Sequence, residues 1–325
     1  MMKKILILCS LILSLATVAQ ANVDDGRECY SWTLGYVPDK RIEFYSPEPN
    51  VNLKMDCFFP EAYTAMDTRP CVIFFFGGGW TGGKTSQFYG FSKYLASRGM
   101  VAICAEYRLG NRHKASPRNC VEDGRQAVRY VREHAAELGI DPNKIVAGGG
   151  SAGGHVAAAI AMCPKMDASP ASTVSSIPNA LVLLNPVYNN GPEGYGHARV
   201  KAYWQDFSPH HNIREDLPPT IVFFGSNDEY VPVDQAEAFQ AAMDKAGNAC
   251  VTHIYEGEEH GFFHISKGGR NMFEDVLTKT DAFLVTQNFL TGADQVKPWT
   301  AQAIEHYKQS PEAKKDAARK NKKKK

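Results

Sequence analysis

Between the apolar stretch Lys144-Ile145-Val146-Ala147 and the small-residue run Val156-Ala157-Ala158-Ala159-Ile160 lie Gly149-Gly150-Ser151-Ala152-Gly153-Gly154-His155. A chain that leaves a strand and enters a helix within so few residues must bend sharply. Only residues without side chains leave room for the neighbouring elements in such a bend. The serine at its centre takes a strained conformation that exposes its hydroxyl beyond the end of the strand. Strand, tight turn and helix in immediate succession commit the chain to an α/β architecture. The Gly-x-Ser-x-Gly pattern alone is weak in a chain with 27 Gly among 325 residues. Its setting gives it weight.

Elsewhere, apolar runs and helical spacings alternate. Residues 71–76 are continuously apolar and end in glycines, as expected for a strand buried on both faces. Residues 41–46 and 51–60 read as an antiparallel pair, and 100–107, 180–184, 220–224 and 250–255 as further strands. Helical spacing occupies 87–98, 119–138, 233–246 and 273–290. This rhythm predicts a mostly parallel central sheet flanked by helices on both faces. One domain is expected over 41–291, after a loosely ordered lead-in at 22–40. Residues 185–217, rich in Tyr and Gly and without clear period, are expected to form a short lid-like insert.

The first 21 residues stand apart. Lys3 and Lys4 precede an apolar run from Ile5 to Val18, and Ala19-Gln20-Ala21 fits a signal cleavage site. The sequence thus predicts export, to the periplasm or beyond. No later stretch is long and apolar enough for a membrane span. Hydrophobic content of 44% and charged content of 22% are ordinary globular values. The formal net charge of +1 hides an asymmetry, because residues 312–325 alone carry a net +6. The body is therefore mildly acidic, which gives no reason to expect nucleic acid. Residues 292–325 are expected to be a basic, disordered tail able to touch an anionic surface.

Eight cysteines are present, one of them (Cys9) within the export segment. Cys71 and Cys104 lie in strand-like runs and read as core. Cys29, Cys57, Cys120, Cys163 and Cys250 are candidates for bridges in an oxidising compartment. No Cys/His spacing matches a zinc site, and neither a metal nor an organic cofactor is expected.

A serine nucleophile needs a base, and the base needs an orienting carboxylate. In open α/β sheets such groups gather past the carboxyl ends of strands. The strand at 220–224 runs into Gly225-Ser226-Asn227-Asp228-Glu229-Tyr230-Val231-Pro232, and the strand at 250–255 into Glu256-Gly257-Glu258-Glu259-His260. Ser151, Asp228 and His260 are the expected catalytic residues, with Glu229 and Asp234 as rivals for the acid and His253 and His264 for the base. Asn185, past the strand at 180–184, lacks the charge for the acid's role. His155 reads as a packing residue, His210 and His211 as loop residues, and Arg108 with Asp123 as a buried structural pair. An oxyanion hole is expected from the backbone N–H groups of Gly78, Gly79 and Ala152, since Gly77-Gly78-Gly79-Trp80 follows the strand at 71–76.

These segments, with Glu106-Tyr107-Arg108-Leu109, Asp228-x-x-Val231-Pro232 and His260-Gly261-Phe262, resemble the α/β-hydrolases of the esterase/lipase group. The likeness is to secreted bacterial carboxylesterases and carbohydrate acetyl esterases with a His-Gly-Gly-Gly-type oxyanion loop, and it covers residues 41–290. It implies a cofactor-free serine esterase that works through an acyl-enzyme. One departure stands out: the family's histidine before the glycines is Phe76 here, so packing is expected to hold the loop. Trp80, Tyr188 and Trp204 are the expected substrate-binding aromatics, suited to a short acyl group, acetyl foremost, on a bulky alcohol such as an oligosaccharide. Two other readings remain at this point: a peptidase of the prolyl-oligopeptidase type, and a non-catalytic binding protein of the same fold.

Overall fold

In a strand, successive side chains face opposite ways, so an unbroken apolar run requires cover on both sides. The computed structural model, which describes residues 30–323, meets this requirement with one eight-stranded sheet. Its strands are β1 (Lys40–Glu48), β2 (Val51–Phe58), β3 (Arg69–Phe75), β4 (Val101–Ala105), β5 (Ile140–Gly150), β6 (Ala180–Leu184), β7 (Thr220–Gly225) and β8 (Cys250–Tyr255). They lie in the order β1-β2-β4-β3-β5-β6-β7-β8. β2 is antiparallel to both its neighbours, and β4 to β8 form a parallel array with β3 among them.

The helices are α1 (Tyr89–Ser97), α2 (Gly110–His113), α3 (Pro117–Glu133), α4 (Ala152–Met162), α5 (His197–Val200), α6 (Trp204–Phe207), α7 (Val233–Lys245), α8 (Gly269–Thr286), α9 (Val296–Gln309) and α10 (Pro311–Lys323). On one face Cys71, Ile73 and Phe75 of β3 pack with residues of α3, α4 and α7. On the other, Val72 and Phe74 pack with residues of α1, α8 and α9. Each fully buried Val, Ile or Phe contributes about 1.5–3 kcal/mol relative to exposure. The two-sided burial therefore accounts for the unbroken run at 71–76.

The chain passes from β3 through α1 to β4 on one side, then through α3 to β5 on the other side of β3. Strand order reverses there, and such a reversal opens a crevice at the carboxyl ends of the two strands. The glycine loop after β3 and the serine turn after β5 both empty into it. Arg108 and Asp123 form the expected structural pair, with Nε and Nη2 of Arg108 donating to the buried carboxylate at 2.8–3.0 Å.

Three expectations change. Residues 296–323 are helical, not a disordered tail. Val296, Ala303, Ile304 and Tyr307 recur at helical spacing and are buried against the body. Trp299 meets Tyr94 edge-on at 5.4 Å, and Tyr307 Oη donates to Asp316 at 2.8 Å. The lead-in is likewise fixed within the described residues, since Ser31 and Thr33 both donate side-chain hydrogen bonds to Glu312 of α10 and Leu34 is fully buried. Finally, Cys57, Cys71, Cys104, Cys120, Cys163 and Cys250 are all free thiols, so none of the bridges open to them forms among the described residues. Cys29 and the export segment lie outside the described residues. Among those described, no helix is long and apolar enough to cross a membrane.

Candidate active site

Ser151 joins β5 to α4 with φ 55° and ψ −122°, a region that side chains rarely occupy. The turn is held through its backbone: Ser151 N–H donates to Leu184 O at 3.0 Å, and Ser151 O accepts from His155 and Val187. The glycines around it are sterically required. A Cβ at Gly153 would lie 2.1 Å from Phe75 O and 2.4 Å from Phe76 O, and one at Gly149 would lie 2.5 Å from Phe75 O. Helix α4 thus presses directly on the end of β3, which places Ser151 beside the glycine loop.

Ser151, Gly78, Gly79 and His260 line one cavity of about 350 Å³ at the strand-order reversal. His260 Nδ1 is 2.7 Å from Asp228 Oδ2. The other oxygen of Asp228 accepts the backbone N–H groups of Tyr230 and Val231 at 2.9 and 3.0 Å, which fixes the carboxylate. Neither rival acid, Glu229 or Asp234, hydrogen-bonds His260 among the described residues. Of the rival bases, His253 sits on β8 and stacks on Phe223, away from the cavity. His264 lines the cavity but has no carboxylate partner among the described residues.

The tautomer of His260 follows from its neighbours. Asn185 Oδ1 accepts the Gly261 N–H at 2.9 Å, so the amide nitrogen is the atom that lies 3.3 Å from His260 Nε2. An NH2 group only donates, so Nε2 carries a lone pair and Nδ1 carries the proton toward Asp228. That is the form a general base requires. The Ser151 hydroxyl has no hydrogen-bond partner among the described residues. It shares the cavity with His260, and nucleophile–base bonds of this kind tighten when substrate binds.

The backbone N–H groups of Gly78, Gly79 and Ala152 also donate no hydrogen bond within the described residues. Gly78 (φ 132°) and Gly79 (φ 60°) could not be replaced cheaply, since a Cβ at Gly78 would lie 2.3 Å from Gly82 O. Packing alone was expected to hold this loop, but hydrogen bonds do much of it. Gln87 clamps Gly77 at both ends, Oε1 accepting its N–H at 2.8 Å and Nε2 donating to its carbonyl at 3.2 Å. Tyr107 stacks on Phe76 at 4.4 Å and donates its hydroxyl to Phe76 O at 2.5 Å. Arg199 reaches across from the 185–217 segment to donate to Gly79 O at 2.6 Å while lying over the Trp80 ring.

None of Trp80, Tyr188 and Trp204, the expected substrate aromatics, lines the cavity. Trp80 is buried against His155, Tyr195 and Phe207. Tyr188 stacks on Phe239 at 4.3 Å beneath α7, and Trp204 packs on His197 and His211. The aromatic lining comes instead from Trp32, Tyr195, Tyr230 and Phe263. Sequence reasoning also missed Gln87 and Arg199, and it set Asn185 aside as the acid without giving it a role beside the imidazole. Asn185 alone had a signal, its position just past β6.

A strained serine between strand and helix, a carboxylate-bound imidazole and unpaired N–H groups at a strand reversal are the arrangement of an α/β-hydrolase. A family model described as BD-FAE matches residues 55–179, and that of the dienelactone hydrolase family matches residues 188–315. The chain is 42% identical in sequence to esterase 2 of Thermogutta terrifontis, with a TM-score of 0.74 over 78% of this chain and 96% of that one. It therefore belongs to the α/β-hydrolase family. An acetylxylan esterase of Xylanibacter ruminicola is 29% identical over 226 residues, which cover 64% of this chain and 43% of that protein. An isoprenylcysteine alpha-carbonyl methylesterase of Arabidopsis thaliana is 26% identical over 276 residues, covering 76% and 61% respectively. The chain spans about three-fifths of the length of such plant relatives.

Proposed function

We propose that the protein is a serine esterase that hydrolyses short-chain carboxylic esters, acetyl esters of carbohydrates foremost, through an acyl-enzyme. The observation that carries this reading is the 2.7 Å contact of His260 Nδ1 with Asp228 Oδ2, in the same cavity as Ser151 and the glycine loop. In the reaction, His260 Nε2 takes the Ser151 proton as Oγ attacks the ester carbonyl. The developing oxyanion accepts hydrogen bonds from Gly78, Gly79 and Ala152, each worth on the order of 3 kcal/mol in comparable sites. The carbonyl–alkoxy bond then breaks, and the imidazolium, stabilised by Asp228, gives its proton to the leaving alcohol. Water repeats the sequence and releases the acid.

A short acyl group is supported by the crowding around the loop: a Cβ at Gly79 would lie 2.9 Å from Tyr195 Oη. The Thermogutta esterase has been determined with propionate and with butyrate bound, and phosphorylated by paraoxon. An acetylated sugar is supported by the aromatic lining and by the acetylxylan esterase relative. The export signal read at residues 1–21 supports action outside the cytoplasm, and the lysines of α10 support contact with an anionic surface there.

The test is a panel of p-nitrophenyl esters of increasing acyl length, acetylated xylo-oligosaccharides and aminoacyl anilides, run on wild type and Ser151→Ala. Rapid cleavage of the acetates, falling with chain length and abolished in Ser151→Ala, is expected. Cleavage of the anilides in preference to the esters would replace the esterase by a peptidase. Absence of all turnover together with no labelling of Ser151 by a fluorophosphonate would leave a binding protein.

A further inference from the structure

In ester hydrolysis by a serine and a histidine, the proton taken from the nucleophile is returned to the leaving alcohol, so that alcohol must sit against the imidazole. In this cavity Tyr230 meets the imidazole edge-on at 4.9 Å and Asn185 touches its Nε2, while the remaining wall on that side comes from the segment that follows it. His264 and Lys267 line the cavity beside His260, and Trp32 of the lead-in meets His264 edge-on at 5.4 Å. The acyl side lies toward the glycine loop.

We propose that the wall formed by Trp32, His264 and Lys267 receives the alcohol portion of the substrate, and that this alcohol is a sugar bearing a carboxylate, as in a uronic acid unit. The proposal rests on the esterase reading of Ser151 and names the substrate class within it.

Three observations carry it. The first is charge. Among the described residues no Asp or Glu lines the cavity, and Lys267 is its one Lys or Arg. The ammonium is positioned: Lys267 Nζ donates to the His260 carbonyl at 3.0 Å, and a Cβ at Gly261 would lie 3.4 Å from it. Among the described lining residues no carboxylate faces this cation, so its positive potential acts on whatever occupies the alcohol side. Acetylated neutral sugars gain nothing from it; an acidic one does.

The second is an imidazole without a partner. His264 is more than nine-tenths buried, lines the cavity, and neither ring nitrogen hydrogen-bonds within the described residues. Burial, reinforced by the charge of Lys267, pushes the His264 pKa down to about 3. The ring is therefore neutral at working pH and offers one donor and one acceptor, the complement of a sugar hydroxyl. The third is Trp32, an indole 37% exposed on the same wall. An exposed indole beside a polar pair is a platform for the apolar face of a pyranose ring.

The experiment compares kcat/KM of the full chain on two acetylated xylo-oligosaccharides that differ only in a uronic acid branch next to the acetylated residue, at low and at high salt. Wild type is expected to prefer the acidic substrate by roughly fivefold at low salt, the upper end for an ion pair still in contact with solvent. High salt should shrink that preference. Lys267→Met should bring the ratio to about one, and Lys267→Arg should keep it. Equal rates in wild type, or a preference that survives in Lys267→Met, would overturn the proposal. If Lys267→Met does not fold, a wild-type preference indifferent to salt overturns it equally. Loss of all Ser151-dependent turnover, p-nitrophenyl acetate included, would instead strike the esterase reading itself.

Discussion

Gln87 is the side chain on which the geometry of the glycine loop most depends, and its removal has a calculable consequence. In Gln87→Leu, a side chain of similar size fills the space, but the buried Gly77 loses the acceptor for its N–H and the donor to its carbonyl. Each buried group left unpaired costs about 1–3 kcal/mol. The flanking residues stay anchored by Tyr107 on Phe76 O and Arg199 on Gly79 O. The strain is therefore relieved by rotating the Gly77 and Gly78 peptides, which carry the proposed oxyanion donor of Gly78. Loss of one well-aimed donor costs about 10²–10³ in kcat, and partial misalignment a fraction of that.

For Gln87→Leu the expected result is a fall in kcat on p-nitrophenyl acetate of about 30- to 100-fold, roughly 2–3 kcal/mol in barrier height, with KM within about threefold. Gln87→Glu keeps an acceptor for the Gly77 N–H and loses only the donor, so its loss should be smaller, about five- to tenfold. Stopped-flow or steady-state hydrolysis measures the rates, and thermal melting by circular dichroism verifies the fold. A natively folded Gln87→Leu enzyme with kcat within twofold of wild type would refute the reasoning. So would an effect confined to KM, because Gln87 also lines the cavity and would then be a substrate contact only.

Three further outcomes are expected. Gly153→Ala forces a methyl to within 2.1 Å of Phe75 O, and since both sides of that contact are backbone, soluble expression or urea stability should collapse, by about 3 kcal/mol or more; a folded Gly153→Ala protein of normal stability would contradict the close approach of α4 to β3. Asp228→Asn removes the charge that holds the His260 tautomer and should lower kcat on p-nitrophenyl acetate by about 10³–10⁴ with the melting temperature little changed; retention of a tenth of wild-type kcat would exclude Asp228 from the role given it. Burial drives the pKa of both His155 and His264 down to about 3, whereas the unfolded chain protonates both near 6.5. The unfolded state therefore binds more protons below pH 6.5, so stability is intact above that pH and falls toward pH 3 by up to about 1.4 kcal/mol per unit for each ring. Urea titrations between pH 7.5 and 5 should show this loss, and His155→Gln should remove about half of it; an unchanged slope would show that His155 does not stay neutral.

The sheet was legible because its determinants are local. An apolar run of strand length cannot be covered on one side only, and residues 71–75, 180–184 and 220–225 proved to lie in central strands for that reason. The positions of Ser151, Asp228 and His260 were legible too, because each falls just past a strand and the topology brings strand ends together. The helix at Val296–Gln309 was missed although its apolar stripe of Val296, Ala303, Ile304 and Tyr307 is regular, because the lysines beyond it dominated the composition of the segment. Charge counted over a window conceals periodicity within it.

Aromatic residues in the irregular segment posed a different problem. Trp80 and Tyr188 gain as much from a dry core as from a ligand, and the chain does not record which side of a loop faces the cavity. Both went inward, and residues from distant segments, Trp32 and Phe263 among them, took the places expected for them. The same holds for support. Gln87 on the turn before α1, Asn185 after β6 and Arg199 on α5 carry no motif, yet they fix the glycine loop, the imidazole and the loop's outer end respectively. Each acts on backbone or on a ring nitrogen, groups that every sequence possesses, so no residue pattern marks the partner. Chemistry selects residue types and leaves a trace in the sequence. The restraint of those residues selects only distance and direction, which many side chains satisfy, and it becomes visible only once the sheet has set the distances.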